Sequence, residues 1–368
     1  MARPEQVGEG IQLAVKDLFD TAGLVTTYGS ILFAGHVPER TAEAVRRLED
    51  AGYANVGKTN LHEFAYGVTS QNEHFGTVPN PIAPDRIAGG SSGGSAAALA
   101  AGLADTALGS DSGGSVRIPA ACCGVVGFKP TYRLVPTEGC FPLAPGFDHA
   151  GAMARDVATC AAMMRVLAPG FEPPALESLE EVSVGVAWTK LADPLVGNRV
   201  AAAAAEKFPR RRALDFPLPE GVGAVFMREV ADVHRELFRE HASAYGANVR
   251  TKLERCLAVT DDEYARALRV LRDYRARCAV IVDGVDLLVT PTLPCVAPPV
   301  EVDDLEVRDR LILFTYPFNC LGWPALALPC GAAEDGLPAS VQLVGRPGED
   351  ALVLAAGELL YAALTACS

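Results

Sequence analysis

Apolar positions along the chain recur with two periods, and the two kinds of segment alternate. Residues 11–16, IQLAVK, alternate weakly and predict a strand ending at Lys16-Asp17. The segment LFDTAGLVTTYGS then reads as a glycine-punctuated connection. TAEAVRRLEDAG at 41–52 has helical spacing, with Thr41 as expected N-cap, Glu43 in the first turn and Gly52 as the stop. A short strand, YANVG, follows, then a helical turn at LHEFAYG. The alanine run from Ala96 to Ala101 predicts a helix that opens just after GGSSGGS. That loop therefore sits where backbone N–H groups are free. Further along, ARDVATCAAMMRVL predicts a helix and VSVGVAW a strand. Residues 198–280 read as several helices, broken near Pro209 and at 216–223. VDLLVTPT and SVQLVG predict strands, and Ala351 to Cys367 a buried terminal helix. Strands alternating with helices predict an α/β fold: a single domain with a central sheet covered by helices on both faces.

Composition narrows the function classes. With 49% hydrophobic and 21% charged residues, the chain is globular rather than disordered. A net charge of −13 argues against nucleic acid as the main partner. The start, MARPEQVGEG, has no apolar core of a secretory signal, and the terminal apolar run contains Glu358, which argues against a membrane span. The ten cysteines are scattered, with no CxxC pair or Cys/His metal spacing. They read as free thiols in a reducing cytoplasm, with no metal and no cofactor expected.

Candidate chemistry concentrates at residues 89–130, where GGSSGGS at 89–95 and SDSGGS at 110–115 flank the alanine run. Three short patterns in and near this stretch lead elsewhere and fail on context. GYANVGKT at 52–59 fits the P-loop spacing, but a helix precedes Gly52 and the strand lies inside the motif. SDSGGS echoes a trypsin-like nucleophile loop in a chain that is not all-β. A GxSxG centred on Ser92 lacks the strand-to-elbow context of an α/β-hydrolase.

Taken together, GKTNLHEFAYG at 57–67, GGSSGGSAAALAAG at 89–102 and GSDSGGSVRIPAACCGVVGFKPT at 109–131 closely resemble the amidase signature family. Flanking matches are AVKDLFDTAGLVTTYGS, PTLPCVAPP and GLPASVQLVGRPGED. The resemblance implies a Ser–cis-Ser–Lys triad that cleaves amide bonds through an acyl-enzyme. By position, Ser115 is the expected nucleophile, Ser91 the bridging serine after a cis peptide at Gly90, and Lys58 the base. Lys16 ranks below Lys58, because no serine cluster adjoins it in the sequence. A lysine base must be neutral, so Lys58 is expected to be sequestered, without a carboxylate partner, its pKa brought down from about 10.4. An alkaline activity optimum is the expected consequence. Backbone N–H groups of Ser112, Gly113, Gly114 and Ser115 are expected to form the oxyanion hole, and Asp111 and Arg117 to support that loop. Similarity places Tyr66, Gly67, Thr69, Phe141, Tyr316 and Asn319 around the substrate.

The resemblance implies a single domain over residues 1–368 that lacks the helices usually preceding IQLAVKD, with 170–280 as a variable helical region at the substrate entrance. An exposed apolar patch or a partner chain is expected where those helices would pack. KPTYRLVP lacks the glycine usual after the tyrosine, and GAM stands where GPM is usual. The expected function is hydrolysis of a small-molecule carboxylic amide, with carbamates, ureas or esters as related substrates. The expected setting is cytoplasmic, with no nucleic-acid or membrane partner and a homodimer as the assembly considered. The alternative is the catalytic A-type subunit of a glutamine-dependent tRNA amidotransferase, which takes ammonia from glutamine and needs partner subunits.

Overall fold

A computed structural model describes residues 9–366. Its strands are β1 (Ile11–Lys16), β2 (Tyr53–Thr59), β3 (Gln71–Asn72), β4 (Gly76–Thr77), β5 (Thr106–Asp111), β6 (Val126–Lys129) and β7 (His149–Ala154). The later ones are β8 (Val184–Val186), β9 (Arg211–Ala213), β10 (Leu287–Pro291), β11 (Ala325–Ala332) and β12 (Pro338–Val344). The helices that matter to the site or the core are α1 (Glu43–Asp50), α2 (Gly93–Ala100), α3 (Arg117–Cys123), α4 (Val157–Leu167) and α5 (Pro194–Lys207). They continue as α6 (Gly223–His241), α7 (Ala247–Leu257), α8 (Asp261–Ile281), α9 (Asp304–Leu311), α10 (Tyr316–Leu321) and α11 (Asp350–Thr365).

Ten strands form one mixed sheet in the order β2-β1-β5-β7-β6-β11-β12-β10-β8-β9, and β3 pairs with β4 separately. β1 lies parallel to both β2 and β5, whereas β5, β7, β6, β11, β12 and β10 pair antiparallel in turn. Helices cover both faces. Leu13 and Val15 of β1 pack with Val45 and Leu48 of α1, and the same core holds α4 and α11. On the opposite face Ala14 packs with Ala96 and Leu99 of α2 and Ala120 of α3. This alternation is the period-2 signal of a strand buried on both faces.

Some local expectations change. Thr41 does not cap α1: the N-cap is Ala42, without a side-chain cap, and Thr41 Oγ1 instead accepts from the Ala22 N–H. The hydroxyl is spent on fastening the preceding loop. The breaks near Pro209 and at 216–223 do separate helices, since α5 ends at Lys207 and α6 begins at Gly223. Strands β5, β6, β7 and β11 fall where the sequence offers small residues such as TALGSD and HAGAMA rather than a β-branched run. Tertiary packing of α2 and α3 onto them overrides weak propensity.

Candidate active site

Lys16 is the last residue of β1 and is fully buried. Its side chain follows Ala14 to the α2 face. There Nζ lies 2.7 Å from Ser91 Oγ and 2.8 Å from Ser110 Oγ. No carboxylate is bonded to it among the described residues. Burial brings its pKa down from 10.5 to about 7, with the nearby acidic groups, Asp111 among them, opposing in part.

Ser91 follows a cis peptide bond at Gly90–Ser91. Its carbonyl accepts from Ser70 Oγ at 3.3 Å and from the His62 N–H at 3.3 Å. The glycines permit this packing. A Cβ at Gly93 would come within 2.4 Å of Ser70 Oγ, and one at Gly94 within 2.3 Å of the Asn60 carbonyl. The Ser92 N–H donates to the Ser115 carbonyl at 3.1 Å, and Ser92 Oγ to the Ser110 carbonyl at 3.1 Å. These two bonds tie the serine loops together.

Asp111 and Arg117 meet as a fully buried bidentate pair, at 3.0 Å from Nε and 2.9 Å from Nη2. Arg117 also donates to the Thr315 carbonyl, Gln342 Oε1 and Asn319 Oδ1. Burial alone would raise the Asp111 pKa, but Arg117 outweighs it and holds the carboxyl well below the usual carboxylate range. The Asp111 carboxylate accepts from the Gly114 and Val116 N–H groups at 2.9 and 3.1 Å. Gly114 is therefore engaged already. The N–H groups of Ser112, Gly113 and Ser115 bond no acceptor among the described residues, which leaves three of the four expected donors free. A Cβ at Gly114 would come within 2.2 Å of Thr315 Oγ1 and its φ is +130°, so this position requires glycine.

Lys58 is where the expectation fails. Its Nζ donates to the Phe19 carbonyl, to Thr21 Oγ1 at 3.1 Å and to Thr26 Oγ1 at 3.2 Å, and lies 3.7 Å from Asp17 Oδ1. It bonds neither Ser91 nor Ser115, and it has the carboxylate neighbour that a neutral base must lack. The cause is a one-residue register shift. Leu13 pairs with Asn55 and Ala14 with Gly57, so Val56 is an extra residue in β2. Val56 packs on the α2 face with Ala14. Plain alternation would carry Lys58 to that face too; the shift pairs it with Val15 and sends it to the other. What could have pointed to Lys16 is its place as a lone lysine at the end of an otherwise apolar strand.

The expected substrate contacts divide. Thr69 is fully buried and bonds Asp304 through its N–H and Oγ1, both at 3.1 Å. Gly67 packs against the His62 ring, which a Cβ would meet at 2.3 Å. Asn319 donates to the Asp111 carbonyl and carboxylate at 3.0 and 2.8 Å. These three hold the frame. Tyr66 is buried, with its hydroxyl 3.1 Å from Cys256 Sγ. Tyr316 stacks on Phe147 beside Gly113, and its hydroxyl is buried without a bonded partner. Phe226 of α6 packs against Tyr66, Phe147 and Tyr316. Phe141 lines a cavity of about 580 Å³ together with Leu18, Ser110, Ser112, Leu143 and Asp148. Ser112 Oγ donates to Asp148 there at 2.5 Å. The cavity reaches Ser110, which Lys16 bonds, and Ser112, and is not lined by Ser115.

The fold is α/β around a ten-stranded mixed sheet, and comparison with known proteins assigns the chain to the C–N hydrolase class. A family model described as Amidase matches residues 3–181 and 170–354. The chain belongs to the amidase signature family. It is 37% identical over 393 residues to the A subunit of the glutamyl-tRNA(Gln) amidotransferase of Thermus thermophilus, covering 94% of this chain and 83% of the relative. A crystal structure of an amidase superposes with a TM-score of 0.87 at 38% identity, covering 96% of this chain and 84% of that one. The A subunit of the corresponding amidotransferase of Thermotoga maritima superposes with a TM-score of 0.83 at 28% identity, covering 98% and 86%. Among the described residues no helix is long and apolar enough to cross a membrane, and no group of three or more His, Cys, Asp or Glu could hold a metal ion.

Proposed function

We propose that the protein cleaves a carboxylic amide through an acyl-enzyme on Ser115, with Ser91 as relay and Lys16, in place of Lys58, as general base. The observation that carries this reading is the buried contact of Lys16 Nζ with Ser91 Oγ at 2.7 Å and Ser110 Oγ at 2.8 Å. A serine hydroxyl is a weak nucleophile until a neighbour takes its proton. Neutral Lys16 accepts the proton of Ser91, and Ser91 accepts that of Ser115 as Ser115 Oγ attacks the amide carbon. The oxyanion develops against the free N–H groups of Ser112, Gly113 and Ser115. When the C–N bond breaks, the proton returns through Ser91 to the departing nitrogen. Water then repeats the sequence on the ester and releases the acid.

Two settings share this chemistry. The names of the curated relatives favour an A-type subunit of a glutamine-dependent tRNA amidotransferase, in which the amide is that of glutamine and partner subunits are required. The 38%-identical amidase structure supports a stand-alone hydrolase of small amides. The acidic balance of −13 argues against direct nucleic-acid contact by this chain in either setting. Labelling with a fluorophosphonate followed by peptide mapping tests the nucleophile: the adduct is expected on Ser115, and an adduct elsewhere overturns the assignment. Glutaminase assays with and without amidotransferase partner subunits separate the settings. Partner-dependent glutamine hydrolysis supports the first, and turnover of simple amides by the isolated chain supports the second.

A further inference from the structure

Lys58 is buried, richly bonded and unused by the mechanism above. All its partners lie in one connection, the segment that leaves β1 directly after Lys16: it hydrogen-bonds the Phe19 carbonyl, Thr21 and Thr26 and forms an ion pair with Asp17. Asp17 in turn fastens the far end of that segment. Its Oδ2 accepts from the Thr27 N–H at 3.0 Å and from Thr27 Oγ1 at 2.5 Å, and its carbonyl accepts from the Tyr28 N–H. The Asp17 N–H donates to the Thr59 carbonyl of β2 at 3.0 Å. Alternation puts Lys16 on one face of the sheet and Asp17 with Lys58 on the other, so the pair clasps the strand end from behind the site.

We propose that Lys58, with Asp17, is a positioning residue for Lys16: by binding the 17–26 connection to β2 it keeps the end of β1 closed, so that Lys16 Nζ stays sequestered between Ser91 and Ser110. This rests on the reading of Lys16 as the base. Lys16 has its low pKa because it is buried, and a loosened strand end admits water, which favours the charged ammonium. The titratable groups facing Lys16 are the Asp111 and Asp148 carboxyls and the Cys140 thiol, which burial keeps protonated. Those facing Lys58 are Asp17, Asp20 and Cys140.

The test is the pH profile of amide hydrolysis by Lys58→Met. The acidic limb of kcat/KM is expected to move up by about one pH unit, which lowers the rate at pH 7 about fivefold and restores it at alkaline pH. KM is expected to stay within about twofold, because Lys58 touches no substrate. Thr21→Val with Thr26→Val removes two of the acceptors without changing charge and is expected to shift the limb the same way by a smaller amount. This variant decides the matter should Lys58→Met fail to fold. An unmoved limb in the folded variants, or a loss of rate equal at every pH, overturns the proposal. Lys16→Met separates it from the reading beneath it. If Lys16→Met retains activity, the base assignment fails; if Lys16→Met is inactive while the Lys58→Met limb is unmoved, only the positioning role falls.

Discussion

Two buried lysines stand on neighbouring strands, paired almost side by side, and their surroundings differ in a way that separates the proposed base from the proposed clasp. Lys16 meets two serine hydroxyls. Lys58 meets a carbonyl, two threonine hydroxyls and, at 3.7 Å, a carboxylate. Burial lowers both pKa values, Lys16 to about 7 and Lys58 to about 8, where Asp17 and Asp20 pull against it. Desolvation alone therefore does not select a catalytic lysine. The partners do: the hydroxyls on Lys16 belong to the serine loops, whereas those on Lys58, Thr21 and Thr26, donate to the Phe19 and Leu24 carbonyls of their own connection and lead to no serine of those loops. The carboxylate nearest in sequence to the serine loop, Asp111, is kept from playing the part of Asp17 because Arg117 occupies both of its oxygens.

The contrast can be broken most severely at the base. Lys16→Met is expected to lower kcat by about 10²–10⁴ with folding intact, measured by steady-state amide hydrolysis and thermal melting. A loss as deep in Lys58→Met at alkaline pH would erase the distinction. Arg117→Met comes next. It leaves Asp111 charged and buried without its partner, which costs about 3–5 kcal/mol of stability. It also frees that carboxylate to raise the Lys16 pKa, so denaturant unfolding and the pH profile should both move, the latter toward alkaline pH. Ser110→Ala removes one of the two hydroxyls on Lys16, a bond worth about 1 kcal/mol, and is expected to lower kcat roughly fivefold with KM unchanged. The mildest test leaves the protein intact. With the Lys16 pKa near 7, activity should fall as pH drops through about 7, because the ammonium cannot accept a proton, and should level off above about 8. An acidic limb centred near 10 would mean that Lys16 is hydrated.

Much of this was legible in the residues. The glycine-serine cluster at 89–95 marked the loop ahead of α2, and the structure packs its Gly90 and Gly93 against Ser70, Gly94 against Asn60 and Gly89 against Pro119 and Cys122. The opposite charges of Asp111 and Arg117, six residues apart across a glycine-rich turn, implied the pair that braces the loop carrying Ser115. The choice of lysine was not legible. GKTN adjoins the serine motifs in character and order, but sequence proximity carries no information about which face of a strand a side chain takes once a bulge intervenes. Gly114 shows the same limit on a smaller scale. Its need for glycine is evident in the sequence, whereas the engagement of its N–H by Asp111 depends on how the turn closes.

The sequence by itself determined the α/β alternation, the family, and the two serine loops spaced by a short alanine helix, because these are set by local periodicity, glycine geometry and a long specific motif. Tertiary structure decided which amine meets those serines. A single extra residue at Val56 reverses the facing of Lys58 relative to Lys16, and that reversal exists only when β2 is hydrogen-bonded to β1.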